Sequence, residues 1–320
     1  MPGLHDKGDN MVVRILLAIM AVQIAAALAI WYAAARYVPL DLALLLALLA
    51  VVLVRGAINA NNFRMARKFA CDVPAEHRLD LGGRICLFCG EFRASMLASS
   101  WFMLRHRPEP YFAPDAHALP VLLVHGYGCN GGYWTPLRAL LRRERISHAT
   151  VDLEPVAAPL DDYVEQVECA AQRLLAATGA PRIVIVGHSM GGLVARAWLR
   201  RHGAARVARI VTIGTPHQGT GLASLGFGEN ARQMRQDAEW LSQLAQDDAA
   251  HRALITSVWS WHDNIVAPQT SSRLAGARNV AFSGIGHVAL GSDPRVLCRI
   301  LDEILGAGPL TRPLPAATIS

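Results

Sequence analysis

The chain has 320 residues and a mean hydropathy of +0.26, with 52% hydrophobic and only 18% charged residues. A soluble domain carries about 25% charged residues, so this composition excludes a disordered or low-complexity protein, and the length allows one large or two ordinary domains. The formal net charge is only +6, and six cysteines in a chain of this length exclude a disulfide scaffold.

Two apolar runs near the N-terminus predict a helical membrane hairpin. Residues 15–35 contain Gln23 as their only clearly polar residue, and residues 38–54 form a second run with Asp41 near its start. As helices these runs would be about 31 and 25 Å long, against about 30 Å for the hydrocarbon core of a bilayer. We therefore assign residues 1–70 to a membrane anchor. Aromatic residues between the runs suit a membrane interface: Trp31, Tyr32 and Tyr37.

The basic residues around the runs predict how the hairpin is oriented. Only Arg36 lies between the two runs, and cytoplasmic flanks are the ones enriched in Lys and Arg. Both termini are therefore predicted to lie on the cytoplasmic side. Residues 1–70 carry +4 of the net charge of +6, so little basic excess remains elsewhere and no nucleic-acid partner is expected. Six basic residues occupy the outer flanks: Lys7, Arg14, Arg55, Arg64, Arg67 and Lys68.

Two other interpretations of the N-terminus stay open. Ala33-Ala34-Ala35 resembles a signal-peptidase site, which would make the first run a cleaved signal peptide. Against this, the run is longer than the 7–15 residues typical of such a segment, and a second apolar run follows it. Alternatively, only the first run spans the membrane and the second is a buried or interfacial helix, which would place the rest of the chain outside.

From about residue 71 the sequence has the composition of a globular domain. Residues 72–118 are broken by glycine and proline, and we expect one or two edge strands and a loop there. Beyond them, strand-like and helix-like segments alternate, which predicts an α/β fold with a mostly parallel sheet and helices on both faces. The domain is assigned to residues 71–306 and a flexible tail to residues 307–320. Strands are predicted at 120–124, 149–153, 182–186, 209–213, 253–260 and 279–283. Helices are predicted at 134–143 and 161–177, after the turn that follows strand 182–186 as far as about residue 201, and at 294–305.

One short segment has the pattern of a serine nucleophile. Gly187-His188-Ser189-Met190-Gly191 matches G-x-S-x-G and lies between a predicted strand and a predicted helix. Such a turn exposes the serine hydroxyl, and its flanking glycines avoid collisions with the neighbouring backbone. The start of the following helix also favours developing negative charge. The plainer alternative is a tight turn without chemistry.

A serine hydroxyl needs a base, so the chain should also supply an acid and a histidine. Asp263 follows one strand-like run, and His287 lies in a glycine-flanked loop after another. Ser189, Asp263 and His287 are thus predicted to be nucleophile, orienting acid and general base. Rival acids are Asp152, at the end of a predicted strand, and Asp293, which is better explained as a helix cap.

The tetrahedral intermediate of acyl transfer needs backbone hydrogen-bond donors. The glycine-rich turn Val124-His125-Gly126-Tyr127-Gly128 follows the first clear strand, so the amides of Tyr127 and Met190 are the expected oxyanion donors. The alternative is a glycine-rich turn with no such role. Hydrogen-bonded structural roles are expected for the other histidines near these motifs: His125, His188, His217 and His262.

Taken together, these motifs resemble the bacterial triacylglycerol lipases of the α/β-hydrolase superfamily over about residues 118–305. The resemblance implies an α/β-hydrolase fold, the triad and oxyanion residues named above, and no cofactor. It also implies a cap over an acyl pocket, drawn from residues 220–249, although an ordinary amphipathic helix packed on the core would have the same pattern. No calcium site is carried over, because Val-Ala-Leu-Gly-Ser follows His287. The motifs are His125-Gly126, Gly187-His188-Ser189-Met190-Gly191-Gly192, Gly214-Thr215-Pro216-His217-Gln218-Gly219, Asp263 and Gly286-His287.

The sequence therefore predicts a serine hydrolase of carboxylic esters, anchored in a bacterial inner membrane by two helices, with its catalytic domain in the cytoplasm. Expected partners are a lipid or other acyl-ester substrate and the membrane. A thioesterase, amidase or acyltransferase using the same triad remains an alternative, as does a non-catalytic membrane scaffold. Cys86-x-x-Cys89 has no second pair at zinc spacing, so no metal site is predicted.

Overall fold

A computed structural model describes residues 11–310 of the protein, which begin with two long helices. Helix α1 is Met11–Ala34 and helix α2 is Leu40–Ala66, and both are long and apolar enough to cross a membrane. They cover residues 15–34 and 40–54 of the two predicted apolar runs and are joined by a short turn. Residues 311–320 of the predicted tail and the flanking Lys7 lie outside the described part of the chain.

The base of this hairpin is joined to the rest of the protein by polar and apolar contacts. The Arg55 guanidinium donates hydrogen bonds to Gln23 Oε1 at 2.9 and 3.1 Å and to Ser99 Oγ at 3.0 Å. Near the start of α1, Val12 is buried in a small apolar cluster with Ala98 and Met103. The hairpin is therefore packed against the segment that follows it rather than tethered by a free linker.

The prediction of edge strands within residues 72–118 was wrong. The region contains helix α3, Leu81–Leu97, followed by a π-helical turn, Ala98–Phe102, and its only sheet-like pairings are isolated bridges at Tyr111 and Ala118. Three glycines obscure the helical pattern in the sequence. Its periodicity is visible only in the residues that pack inward, which recur at helical spacing: Leu87, Glu91 and Ala94.

Beyond α3 the chain forms the predicted α/β architecture. All six strands are parallel and lie in the order β2-β1-β3-β4-β5-β6. The strands are β1 Val121–Val124, β2 His148–Val151, β3 Ile183–His188, β4 Val207–Ile213, β5 Ile255–Ser260 and β6 Arg278–Phe282. The helices are α4 Thr135–Arg143, α5 Val164–Thr178, α6 Met190–His202, α7 Glu229–Gln233, α8 Glu239–Asp247 and α9 Pro294–Leu305.

Both faces of the sheet are buried, which explains the continuous apolar runs in its central strands. In β3, Ile183 and Ile185 belong to the core on one face together with Trp198 of α6, whereas Val184 and Val186 face the opposite core. Because all strands are parallel, their carboxyl ends meet at one edge, where the sites of such sheets form. The loops after β1, β3, β5 and β6 therefore converge there.

Candidate active site

Ser189 lies at the sharp turn between β3 and α6. Its backbone has φ +53° and ψ −122°, a left-handed conformation that is costly for a residue with a Cβ. The turn is tight enough to require glycine on both sides of the serine. A Cβ at Gly187 would lie 2.7 Å from the backbone of Gly191, and one at Gly191 would collide with the carbonyls of Val124 and His125. The sequence pattern therefore corresponds to a real steric requirement.

Asp263 and His287 form a hydrogen-bonded pair at the same edge of the sheet. Asp263 follows β5 and His287 follows β6, and Asp263 Oδ2 lies 2.8 Å from His287 Nδ1 with both side chains buried. The other carboxylate oxygen accepts hydrogen bonds from the amides of Ile265 and Val266, each at 2.8 Å. These two amides fix the carboxylate, so the acid can orient the imidazole.

The Asp263 carboxylate also sets the basicity of the histidine. Burial disfavours the charged imidazolium, but the charge and hydrogen bond of Asp263, together with the charge of Glu91, raise the pKa of His287 above its usual value. With Nδ1–H donated to Asp263, the neutral ring presents Nε2 as a proton acceptor. This arrangement suits a general base.

The end of β4 brings the serine turn next to this pair. Ile213 accepts a hydrogen bond from the Ser189 amide at 2.8 Å, and the next residue, Gly214, lies beside the acid and the base. A Cβ at Gly214 would lie 3.2 Å from Asp263 Oδ2 and 3.3 Å from His287 Nδ1. Glycine is needed here, because φ is +53° and the three loops approach closely. Ser189 and the Asp263–His287 pair therefore lie around the same end of β4.

The loop after β1 passes directly over Ser189. A Cβ at Gly126 would lie 3.0 Å from Ser189 Cβ and 3.1 Å from His188 Nδ1, so a side chain at this position would press on the serine turn. Tyr127 follows Gly126, and Met190 is the first residue of α6, where backbone amides have no partner within the helix. The backbone of both predicted oxyanion residues therefore borders the serine.

The other motif histidines have structural partners. His125 accepts a hydrogen bond from the Leu153 amide at 3.0 Å, and burial lowers the pKa of His125, His188 and His217. The His188 ring lies between Tyr133 and His287, with ring centroids 4.2 and 4.6 Å away. His217 contacts Thr212 Oγ1 at 3.0 Å and an Arg196 nitrogen at 3.2 Å, and His262 Nδ1 accepts from the Gly284 amide at 3.1 Å.

The two rival acids are engaged elsewhere. Asp152 lies 3.2 Å from His106 and accepts a hydrogen bond from the Gly131 amide at 2.7 Å. Asp293 caps α9 by accepting from the Arg295 amide at 2.9 Å, as predicted. Within residues 11–310, no group of three or more His, Cys, Asp and Glu side chains is placed to hold a metal ion.

Several apolar residues of the segment predicted as an acyl-binding cap belong to the core. Met234, Leu241 and Leu244 are buried in the main hydrophobic cluster, so for them ordinary packing is the correct interpretation. Leu225 and Phe227 behave differently, because they are 66% and 80% exposed at the tip of the segment. The Tyr127 hydroxyl donates to the carbonyl of Phe227 at 2.7 Å. This exposed apolar tip is therefore attached to the loop that covers Ser189.

One residue at the site was missed by sequence reasoning. Glu91 of α3 is buried, and its two carboxylate oxygens accept hydrogen bonds from the amides of Val288 and Ala289 at 3.0 and 2.9 Å. A lone glutamate on a helix normally faces solvent, so its type and position gave no indication of this contact. The only hint was Gly286, whose small size leaves room for the carboxylate.

Comparison with known proteins agrees with the architecture. A sequence profile of the alpha/beta hydrolase family matches residues 121–314, more than half of the chain. The crystal structure of mature Bacillus licheniformis lipase BlEst2 superposes with a TM-score of 0.55 and 16% identity, covering 62% of this chain and 97% of that one. Aspergillus fumigatus lipase B gives a TM-score of 0.53 at 18% identity, covering 63% of this chain and 57% of that one.

Similar curated sequences match over shorter regions. A triacylglycerol lipase of Burkholderia plantarii is 32% identical over 124 residues, which are 35% of this chain and 34% of the lipase. A second triacylglycerol lipase, from Pseudarthrobacter phenanthrenivorans, is 32% identical over 114 residues, or 32% of this chain and 35% of that protein. The chain thus spans about a third of the length of these curated relatives.

Proposed function

This chain belongs to the alpha/beta hydrolase family, and from that premise we propose that it is a membrane-anchored serine hydrolase that cleaves carboxylic esters of lipids. The observation that carries the proposal is the buried Asp263–His287 pair. It lies beside Gly214, and the preceding residue, Ile213, accepts a hydrogen bond from the amide of the strained Ser189. Residues with these three side chains, in this chain order and at these strand ends, suit nucleophilic acyl transfer.

In the proposed reaction, Ser189 Oγ attacks the ester carbonyl while His287 Nε2 takes the hydroxyl proton. The amides of Tyr127 and Met190 stabilise the oxyanion of the tetrahedral intermediate. Collapse of this intermediate breaks the bond to the alcohol, which leaves with the proton from His287, and an acyl-enzyme remains. A water molecule, deprotonated by His287, then attacks the acyl carbon, releasing the carboxylic acid and restoring Ser189.

The position of the hairpin favours a lipid substrate. Val12, near the start of α1, belongs to the cluster that also contacts Val288, next to the proposed base, and Cys129, in the loop over Ser189. The exposed Leu225 and Phe227 supply apolar surface beside the same loop. A hairpin inserted in the bilayer would thus hold the mouth of the site close to lipid esters. The names of two similar proteins, both triacylglycerol lipases, point to the same substrate class.

Labelling with a fluorophosphonate probe tests the nucleophile. We expect the purified full-length protein to be modified at Ser189 and nowhere else, as judged by mass spectrometry of its peptides. Ser189→Ala should abolish labelling, whereas Asp152→Asn should leave it unchanged, because Asp152 is paired with His106 rather than with the proposed base. An unlabelled but folded wild-type protein would favour the scaffold interpretation over an enzyme.

Substrate class is tested with matched compounds. Ester, thioester and amide substrates of equal acyl length should be compared, followed by p-nitrophenyl esters of increasing chain length. The proposal expects the ester to be preferred and long chains to be hydrolysed. A preference for the thioester or the amide would instead indicate a thioesterase or an amidase that uses the same triad.

The proposed inner-membrane topology can be measured in bacterial spheroplasts that express a variant with Cys298 as the sole cysteine. Cys298 is exposed on α9 of the catalytic domain. A cytoplasmic domain predicts no reaction with a membrane-impermeant maleimide until detergent is added. A variant with a cysteine introduced at Tyr37, which is 86% exposed in the hairpin turn, serves as the opposite control and should react in intact spheroplasts. Reaction of Cys298 in intact spheroplasts would instead indicate a single span.

A further inference from the structure

We propose that Glu91 is a positioning residue for His287, so that helix α3, which follows the membrane hairpin, forms part of the catalytic machinery. This inference rests on the function proposed above and assigns a new role to a residue outside the hydrolase motifs. The sequence match to the family begins at residue 121, so α3 lies outside the matched region. The loop that carries His287 is thus held by a helix that lies between the hairpin and the region matched by the family.

The Glu91 carboxylate accepts two hydrogen bonds from the backbone next to the proposed base. Glu91 is 1% exposed, Oε1 accepts from the Val288 amide at 3.0 Å, and Oε2 accepts from the Ala289 amide at 2.9 Å. These are the two amides that directly follow His287. A carboxylate with both oxygens engaged in this way resists rotation and sliding of the loop, because either movement would leave buried polar groups without partners.

The residue before the histidine is also shaped around Glu91. A Cβ at Gly286 would lie 2.5 Å from Glu91 Oε2 and 2.8 Å from its Cβ, so the loop backbone passes directly against this side chain. The amide of His287 itself donates to Asn264 Oδ1 at 2.9 Å. The backbone around the base is therefore held on one side by the acid loop and on the other by α3, and the ring is aimed by Asp263.

Helix α3 is in turn held by the hairpin. Arg55 of α2 donates to Ser99 Oγ just beyond the end of α3, and the rings of Phe63 and Phe88 pack with their centroids 6.2 Å apart. A continuous set of contacts thus runs from α2 through α3 and Glu91 to the loop of the base. Loss of one link should alter the position of the imidazole more than it alters substrate binding.

The charge of Glu91 adds an electrostatic signature to this mechanical role. The titratable groups around His287 are Asp263, His188 and Glu91, and those around Glu91 are His287, Asp263 and Tyr133. Burial raises the pKa of Glu91, while the two loop amides and His287 oppose that shift. An ionised Glu91 favours the imidazolium, so removing its charge should lower the pKa of His287.

The test compares Glu91→Ala, Glu91→Gln and the exposed control Glu76→Gln in the full-length protein. We expect Glu91→Ala to lower kcat by about 10- to 100-fold with little change in KM, because misplacement of a catalytic group by about 1 Å costs rates of this order. Glu91→Gln keeps the shape and one acceptor oxygen, so its loss should be smaller. Its kcat/KM profile should have an acidic limb shifted to lower pH, and Glu76→Gln should match the wild type.

Several outcomes would overturn the inference. One is a loss of kcat of no more than about twofold in both Glu91 variants, because a displaced base should cost about 10-fold or more. Another is a loss of kcat that parallels a fall in unfolding temperature, while the acidic limb of the Glu91→Gln profile does not shift. That result would mean that Glu91 only stabilises the fold. If Glu91→Ala fails to fold, the nearly isosteric Glu91→Gln decides by its pH profile. An active Ser189→Ala variant would instead refute the proposed function, independently of Glu91.

Discussion

Replacing Ser189 by alanine is expected to lower kcat/KM for p-nitrophenyl esters by about 10³-fold or more, because the hydroxyl is the covalent centre of the proposed reaction. Steady-state kinetics of the wild type and the variant, each purified in the same detergent, would measure the effect. The two oxyanion amides belong to the backbone and stay in place, so a small residual rate above the uncatalysed one is expected. Asp152→Asn is the matched control and should retain activity.

The backbone conformation of Ser189 predicts that two inactivating substitutions at this position differ in stability. Ser189 adopts φ +53°, which costs a residue with a Cβ about 1–2 kcal/mol and costs glycine almost nothing. Ser189→Gly should therefore unfold at a higher temperature than Ser189→Ala, although both should have lost nearly all activity. Thermal unfolding followed by circular dichroism would compare them. An alanine variant that keeps most of its esterase activity would refute the serine mechanism, whatever the stability data show.

The parts of the fold predictable from sequence were those in which local chemistry determines structure. Residues 183–186 are apolar at every position because both faces of β3 are buried, and such a run has few alternatives to a central strand. Asp293 followed by Pro294 defines the start of α9, since one caps the first turn and the other needs no amide partner. The site residues follow strands in the same way, so their meeting at one edge was predictable.

The parts that were missed depend on tertiary contacts. Helix α3 contains Gly82, Gly83 and Gly90, which weaken helical periodicity, and its clearest local signal is Asp80, whose side chain accepts from the Gly83 amide at 2.7 Å. The apolar residues of the cap segment gave a pattern that an acyl pocket and a packed helix share. Only the packing distinguishes the buried Leu244 from the exposed Phe227. Likewise, the burial of Glu91 depends on a partner almost two hundred residues away in sequence.

The contacts of Asp263 determine what an amide at this position would do. The amides of Ile265 and Val266 both donate to Oδ1, so in Asp263→Asn the amide oxygen should take that place. The NH₂ group then occupies the position of Oδ2 and faces His287 Nδ1. Two donors do not pair, so the ring is forced into the tautomer with its proton on Nε2. In that state the base has no lone pair directed at the serine hydroxyl.

Asp263→Asn is therefore expected to lower kcat by about 10⁴-fold, as wrong-tautomer variants of such triads do. The carboxylate raises the pKa of His287 above its usual value, whereas burial lowers it, so without the carboxylate this pKa should fall. Activity requires the neutral imidazole, so the acidic limb of the wild-type kcat/KM profile should lie at a higher pH than an ordinary histidine gives, and that of the variant at a lower pH than the wild type. Asp152→Asn should leave both the rate and the limb unchanged. A wild-type kcat/KM profile without an acidic limb, or an Asp263→Asn variant as active as Asp152→Asn, would show that another group orients the base.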